Sequence, residues 1–294
     1  MTKKKVVVVG NCQARPIATL LEKMSDNVEV SNIAIVHLLK PEQECEHKTF
    51  FKNADYIITQ SIADNYPCEF IRTSLLKDQY GEKVITIINL FYLGYTPDWL
   101  YIRIPGKGTL KGPMGDYHNQ TIVESWLAGK SVDEASSLVL NKAYNKDKYS
   151  AFSKSSLVEL RKREVNVDVR LSDYIDENML SKRLFFTFNH PCISLLVEYV
   201  SRMLLFLNLC INDDKSFIPK EALNQLIPVL NVGLEFEFKH EQLYKGLEII
   251  SLDASEVVIG KSQQYDLKEL VMLFYKVYDF NSRIVKTRFS AIVI

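Results

Sequence analysis

The stretch Lys5-Val6-Val7-Val8-Val9-Gly10-Asn11-Cys12-Gln13 decides the fold. Four consecutive β-branched residues favour a strand, and an unbroken apolar run suits a strand covered on both faces, as in a parallel sheet. Gly10 and Asn11 are turn formers. Ala14 to Met24 follows directly, with Ile17, Leu20, Leu21 and Met24 at helical spacing. A buried strand thus delivers a cysteine to the start of a helix. Backbone N–H groups at a helix start favour negative charge, which predicts a shift of Cys12 toward thiolate, its reactive form. The same groups suit the oxyanion of a carbonyl under attack.

Outward from this segment, strands and helices alternate. Strands are expected at Val28–Val36, Asp55–Thr59 and Lys83–Asn89, with helices at His47–Asn53 and Pro67–Gln79. The alternation predicts an α/β fold: an open, mostly parallel sheet flanked by helices, an SGNH- or Rossmann-like core with right-handed crossovers. Residues 92–115 are rich in Gly and Pro and read as a long loop. A helix is expected over His118–Ala128, and Ser131 with Glu134 forms a capping box that opens another. Leu184–Phe188 predicts a further strand and Pro191–Leu209 a helix. The expected division is an α/β core over 1–210, including a helical insertion over 117–180. A mainly helical C-terminal extension over 211–294 packs on it, with its strongest helix at Leu267–Tyr278.

Composition narrows the function classes. The chain has 294 residues, 47% hydrophobic and 24% charged, as in an ordinary globular protein. Lys+Arg and Asp+Glu are equal at 36 each, so no global basic field draws nucleic acid or anionic lipid. The valine run is too short for a membrane span, and the later apolar stretch Ile193–Ile211 is interrupted by Glu198, Ser201 and Arg202. No transmembrane segment is expected. Cys12, Cys45, Cys68, Cys192 and Cys210 show no CxxC pair and no zinc-type spacing. An odd number of widely spaced thiols predicts a reducing, cytoplasmic setting, and the lack of zinc-type spacing predicts no metal. Most of these cysteines read as packing residues.

In an open parallel sheet, ligands bind beyond the carboxyl ends of the strands. Four polar clusters fall at such ends: Gly10-Asn11-Cys12-Gln13, Gln60-Ser61, Asn89 with Tyr92, and Asn189-His190-Pro191. His190 is the best placed base for Cys12, and His118 is a second candidate with Asp116 near it. The amides of Asn11, Gln13 and Gln60 are candidate oxyanion donors. Arg15 suits a phosphate at the helix start. The basic, Gly-rich stretch Arg103–Gly112, with Lys107 and Lys111, suits phosphates as well, although it lacks the P-loop pattern. Each residue has a plainer reading. Cys12 fits a tight turn, His190 fits a core histidine bonded to a carbonyl, Gln60 ends a strand, and Arg103–Gly112 fits a solvated hairpin.

The Gly10-Asn11-Cys12-Gln13 turn after a first strand, the segment Gly115-Asp116-Tyr117-His118 and Asn189-His190-Pro191 resemble the WcbI-type capsular polysaccharide acetyltransferases. Their order and spacing match over roughly the first two thirds of the chain. The resemblance implies coenzyme A and acetyl-CoA as cofactor. It implies an acyltransferase that moves acetyl to a sugar hydroxyl in capsular or surface polysaccharide assembly. It puts functional interest on Cys12, Gln13, Arg15, His118 and His190. With it, Gly10, Asn11, Gln60, Tyr117, Lys107, Lys111 and Asn189 are expected around the cofactor. Nothing after Asn212 matches a motif. The opening is also similar to SGNH-type esterases and acetyltransferases, with Cys12 in place of the serine and no late Asp-x-x-His. Two other readings stand beside the acetyltransferase: a Cys/His-dependent esterase or thioesterase, and a non-catalytic sugar- or nucleotide-binding protein. The expected partner is a carbohydrate acceptor, not nucleic acid, and a homo-oligomer is left open.

Overall fold

Val6, Val7, Val8 and Val9 are each at most 1% exposed, because β1 (Lys4–Gly10) is an inner strand. It lies between β2 (Val28–Ile35) and β3 (Tyr56–Gln60), and β4 (Val84–Ile87) adds beyond β3, giving the order β2-β1-β3-β4. Every pairing is parallel, with Val9 opposite Thr59 and Gln60 opposite Ile87. The computed structural model describes residues 2–212, 217–239, 241–253 and 256–289.

The α/β expectation therefore holds, and three helices follow the strands: α1 (Ala14–Met24), α2 (Glu44–Asn53) and α3 (Thr73–Tyr80). Alternate side chains of a strand point to opposite faces. Val7, Val9 and Ile57 pack in one apolar cluster with Phe51 of α2 and Leu76 of α3. Cys68 sits in the same cluster, an inert packing thiol. α1 buries Ile17 and Leu21 and packs against β2 and the helix Ile193–Phe206. The helix expected over Pro67–Gln79 is shorter. A 3₁₀ turn, Glu69–Ile71, comes first, and the extended backbone of Arg72 (φ −60°, ψ 133°) separates it from α3.

The chain forms two compact units. The first comprises Met1–Phe91, Leu157–Met179 and Asn189–Leu223, and the second Tyr92–Ser156, Leu180–Phe188 and Asn224–Ile294. Both are discontinuous in sequence, where composition suggested a core over 1–210 and an extension over 211–294. In the first unit, the chain beyond Phe206 returns to the end of α1. Ser25 Oγ donates to the Cys210 carbonyl (2.7 Å) and Asn212 N–H to the Met24 carbonyl (2.8 Å). No described helix is long and apolar enough to cross a membrane.

The second unit corrects two expectations. Among the described residues, those after 210 are not mainly helical: a long antiparallel hairpin, Tyr244–Asp253 with Glu256–Tyr265, precedes the helices Leu267–Phe280 and Ser282–Phe289. Its β-branched residues Ile249, Ile250, Val257, Val258 and Ile259 account for the strands. His118 lies on a strand, Tyr117–Asn119, paired antiparallel with Trp99–Tyr101, and not at a helix start. The helix begins at Gln120 because Asn119 caps it, accepting from Ile122 N–H at 3.2 Å. The capping box at Ser131 and Glu134 forms as expected.

Beyond β4 the backbone bonds to the helix Ile193–Phe206 through one buried side chain. Ile88 N–H donates to the Tyr199 hydroxyl at 2.9 Å. Tyr199→Phe keeps the ring and removes that acceptor, leaving a buried N–H unpaired. A loss of about 1–3 kcal/mol is expected in urea unfolding, and an unchanged midpoint would show that the bond is replaced.

Candidate functional site

The sheet order places β2 and β3 on opposite sides of β1, so the carboxyl ends of β1 and β3 flank a topological switch point, the usual ligand crevice of an open α/β sheet. Gly10 ends β1 and Gln60 ends β3. A Cβ on Gly10 would lie 2.9 Å from Cδ and Oε1 of Gln60, so glycine is required by close approach.

That approach serves a network of amides inside the first unit. Gln60 Oε1 accepts from Asn11 N–H at 2.9 Å, and Gln60 Nε2 donates to Gln13 Oε1 at 3.2 Å and to Asn11 Oδ1 at 3.4 Å. Asn11 Oδ1 also accepts from Gln13 N–H at 2.9 Å, holding the turn into α1. Gln13 is fully buried. Its Oε1 accepts from Leu90 N–H (2.9 Å), and its Nε2 donates to the carbonyls of Leu90 (2.8 Å) and Asn189 (2.9 Å). Next to Leu90, Arg163 donates to Asn89 Oδ1 at 2.7 Å. The clusters at 10–13, 60, 89–90 and 189 are therefore joined in one unit, as strand-end logic predicts. Tyr92 lies in the second unit.

The network also corrects part of the expected chemistry. The side-chain donors of Gln13 and Gln60 are turned on protein acceptors, since buried polar groups are costly unless paired. These residues build the turn and do not present an oxyanion hole.

Cys12 emerges from this turn half-buried, in the wall of a cavity of about 630 Å³. Burial pushes its thiol above the ordinary value of 9.0. Its own N–H and that of Gln13 act in the opposite direction without overcoming burial. The expected thiolate is corrected accordingly: the helix-start groups work as anticipated, but desolvation is the larger influence. α1 also brings Arg15, Thr19 and Lys23 to the cavity, residues four apart on one helical face. His37 lines it too, and so does Lys220. Glu221 fastens the 217–223 wall by accepting from Ile193 N–H at 2.9 Å, at a helix N-terminus that favours a carboxylate. The apolar lining includes Leu20, Ile35 and Ile218, and no carboxylate lines the cavity among the described residues. Lys23 and Lys220 were missed from sequence. The Arg15-Thr19-Lys23 spacing was a legible signal for Lys23, whereas nothing near Lys220 announces its role.

His190 belongs to the first unit, on the short strand His190–Pro191, directly after the Asn189 carbonyl that Gln13 holds. His118, Tyr117, Lys107 and Lys111 lie in the second unit. His118 is fully buried, and its Nε2 faces the Leu110 carbonyl at 3.0 Å, so Nε2 carries the proton and Nδ1 accepts from the Tyr278 hydroxyl at 3.1 Å. Burial lowers its pKa to about 4. This is a neutral core histidine with both nitrogens committed, not a base poised for a substrate. The Tyr117 hydroxyl accepts from Thr187 Oγ1 at 3.1 Å. Lys111 pairs with Asp116 at 2.6 Å, which takes up the carboxylate expected to orient an imidazole. Lys107 is exposed at the tip of a hairpin. His240 lies outside the described residues.

Two outcomes follow from these environments. Gln13→Leu fills the same space but strands the N–H and carbonyl of Leu90, so it is expected to cost at least about 3 kcal/mol in urea unfolding; a cost below about 1 kcal/mol would mean that the network is dispensable. For His118, the folded pKa of about 4 lies below the ordinary 6.5. Unfolding then takes up a proton between these values, and stability falls as pH drops through that window, by on the order of 3 kcal/mol in all. Asp98, buried in the same unit with its pKa raised to about 6, runs the other way, losing stability as pH rises toward 6. On acidification from pH 6.5 to pH 4.5, His118→Phe should therefore lose less urea stability, or gain more, than the wild type, and an identical pH dependence would refute the assignment.

Residues 5–209 match the family model described as polysaccharide biosynthesis enzyme WcbI. Among curated proteins, none matches the chain. Among solved structures, the chain is similar to one described as WcbI, a novel polysaccharide biosynthesis enzyme, as native protein without a disulfide bond between coenzyme A and a cysteine. The TM-score is 0.70 at 18% identity, covering 98% of each chain, so the likeness is one of fold. With the family model spanning 5–209, the protein belongs to the WcbI family of polysaccharide biosynthesis enzymes.

Proposed function

We propose that this protein is a coenzyme-A-dependent O-acetyltransferase that acts on a carbohydrate hydroxyl in capsular or surface polysaccharide biosynthesis. The observation that carries the reading is the half-buried Cys12 thiol in the wall of a cavity of about 630 Å³ that also presents Arg15, Lys23 and Lys220. These residues fit coenzyme A. Guanidinium and ammonium groups suit its phosphates, the apolar lining suits its pantetheine arm, and the neutral thiol suits its sulfur end. The family supports the carbohydrate side of the reading, and coenzyme A is named with the similar solved structure.

When bound, the coenzyme supplies the acetyl group as an activated thioester. The chain's own residues would orient it and handle a proton. Cys12 holds its proton at neutral pH, which favours a positioning role over that of a standing thiolate. His190 is the base assigned to the acceptor hydroxyl, since both nitrogens of His118 are engaged in the core. A covalent route through Cys12 is the second mechanism, and it requires a base to remove the thiol proton first.

The test uses purified full-length protein. Coenzyme A is expected to bind, and Cys12→Trp, which projects a large ring into the cavity, should weaken binding at least tenfold. Acetyl-CoA should be consumed on addition of a carbohydrate acceptor, with Cys12→Ser within about tenfold of wild type and His190→Ala reduced at least a hundredfold. Loss of transfer in Cys12→Ser, with coenzyme binding intact, would instead establish the covalent route. Rapid thioester loss without an acceptor would identify a thioesterase, and absence of coenzyme binding would overturn the acetyltransferase reading.

A further inference from the structure

The basic, Gly-rich stretch at 103–112 is not absorbed by the Cys12 cavity. Within the second unit it forms a small hairpin, Arg103–Ile104 with Gly108–Thr109, turning through Gly106 (φ +71°) and Gly108 (φ +89°). The last described helix, Ser282–Phe289, faces it across a cavity of about 770 Å³. Arg283, Ile284, Thr287 and Arg288 share one side of that helix, at the i, i+4 and i+1, i+5 spacing of a single face.

Arg103, Arg283 and Arg288 thus line one cleft, with no carboxylate in its wall among the described residues. Two nearby cations that do not line it have partners of their own. Lys111 pairs with Asp116, and Lys286 lies over the Trp126 ring at 5.8 Å from its centroid. Arg103 itself lies over the Tyr101 ring at 5.7 Å, which limits its freedom and orients its fork. Like charges gathered in one place are unfavourable unless an anion neutralises them. Guanidinium forks match phosphate oxygens two at a time, which a lysine cannot do. Three forks exceed what one phosphate needs, and Ile104, Pro105 and Ile284 add an apolar floor for the rest of a ligand.

We propose that this cleft binds the diphosphate group of an activated sugar, the acceptor or its carrier. The anion site stands on the cleft alone. Its assignment to the sugar, and not to the coenzyme, rests on the function proposed above, because sugars built into polysaccharides are carried on phosphate leaving groups.

Isothermal titration of the full-length protein with inorganic pyrophosphate, in phosphate-free buffer, tests the site. Binding is expected, weakened at least tenfold by each of Arg103→Ala, Arg283→Ala and Arg288→Ala, and weakened less by Arg288→Lys, which keeps charge but not the fork. All three arginines are exposed, and equal melting temperatures without ligand will show that the variants fold. No pyrophosphate binding, or binding indifferent to all three substitutions, overturns the site. Titration with coenzyme A separates the sources. Coenzyme affinity unchanged in the arginine variants supports the sugar assignment, while parallel loss of coenzyme and pyrophosphate binding overturns it. Arginine-dependent pyrophosphate binding in a protein that binds no coenzyme would uphold the cleft and sink only the coenzyme reading.

Discussion

The site depends on one buried carboxamide. Gln13 donates to two main-chain carbonyls and accepts from Leu90 N–H and the Gln60 amide, so that each end of its side chain is matched in a place where water cannot substitute. A leucine would fit the space and an ionised glutamate would set an anion against two carbonyl oxygens. Only an amide has donors and an acceptor arranged to join segments that lie far apart in sequence. Gly10 is the steric counterpart, since any side chain there would displace the Gln60 amide. The turn that presents Cys12 is rigid because of these contacts.

A rigid, buried setting has an electrostatic consequence. Main-chain N–H groups at the start of α1 favour a thiolate at Cys12, but they do so in a place where desolvation opposes any charge, and desolvation dominates. The cations of the cavity, Arg15, Lys23 and Lys220, stand around an apolar interior. A ligand with an anionic end and a neutral, sulfur-bearing arm meets complementary surfaces in such a place. Arginine side chains gathered in the cleft of the second unit offer a different complement, one of charge and planar geometry on an apolar floor.

The sequence made the sheet legible because its strands are strongly patterned. Val6 to Val9 had to be inside, and the strand–helix alternation required parallel pairing. It also marked the strand-end clusters at Cys12, Gln60, Asn89 and Asn189, since the carboxyl ends of parallel strands are where ligands bind. What those residues do was less legible. Amides can serve a substrate or a backbone equally, and only the hydrogen-bond partners of Gln13 and Gln60 in the folded chain distinguish the two. His118 sits beside a loop rich in glycine and looked available, yet Tyr278, from a distant helix, closes over it. Lys220 reaches the cavity because Glu221 fastens its segment to the helix that starts at Ile193.

By itself, the sequence determined the layered α/β core, the place of Cys12 between a buried strand and a helix, and the kinship carried by its short motifs. These depend on local patterning, which periodicity and turn chemistry express directly. Only the tertiary structure decided that the neighbouring amides are structural, that the Cys12 thiol is held neutral, and that His118 belongs to a core. Burial and hydrogen-bond partners arise from residues dozens to more than a hundred positions away, and no local pattern encodes which of them will meet.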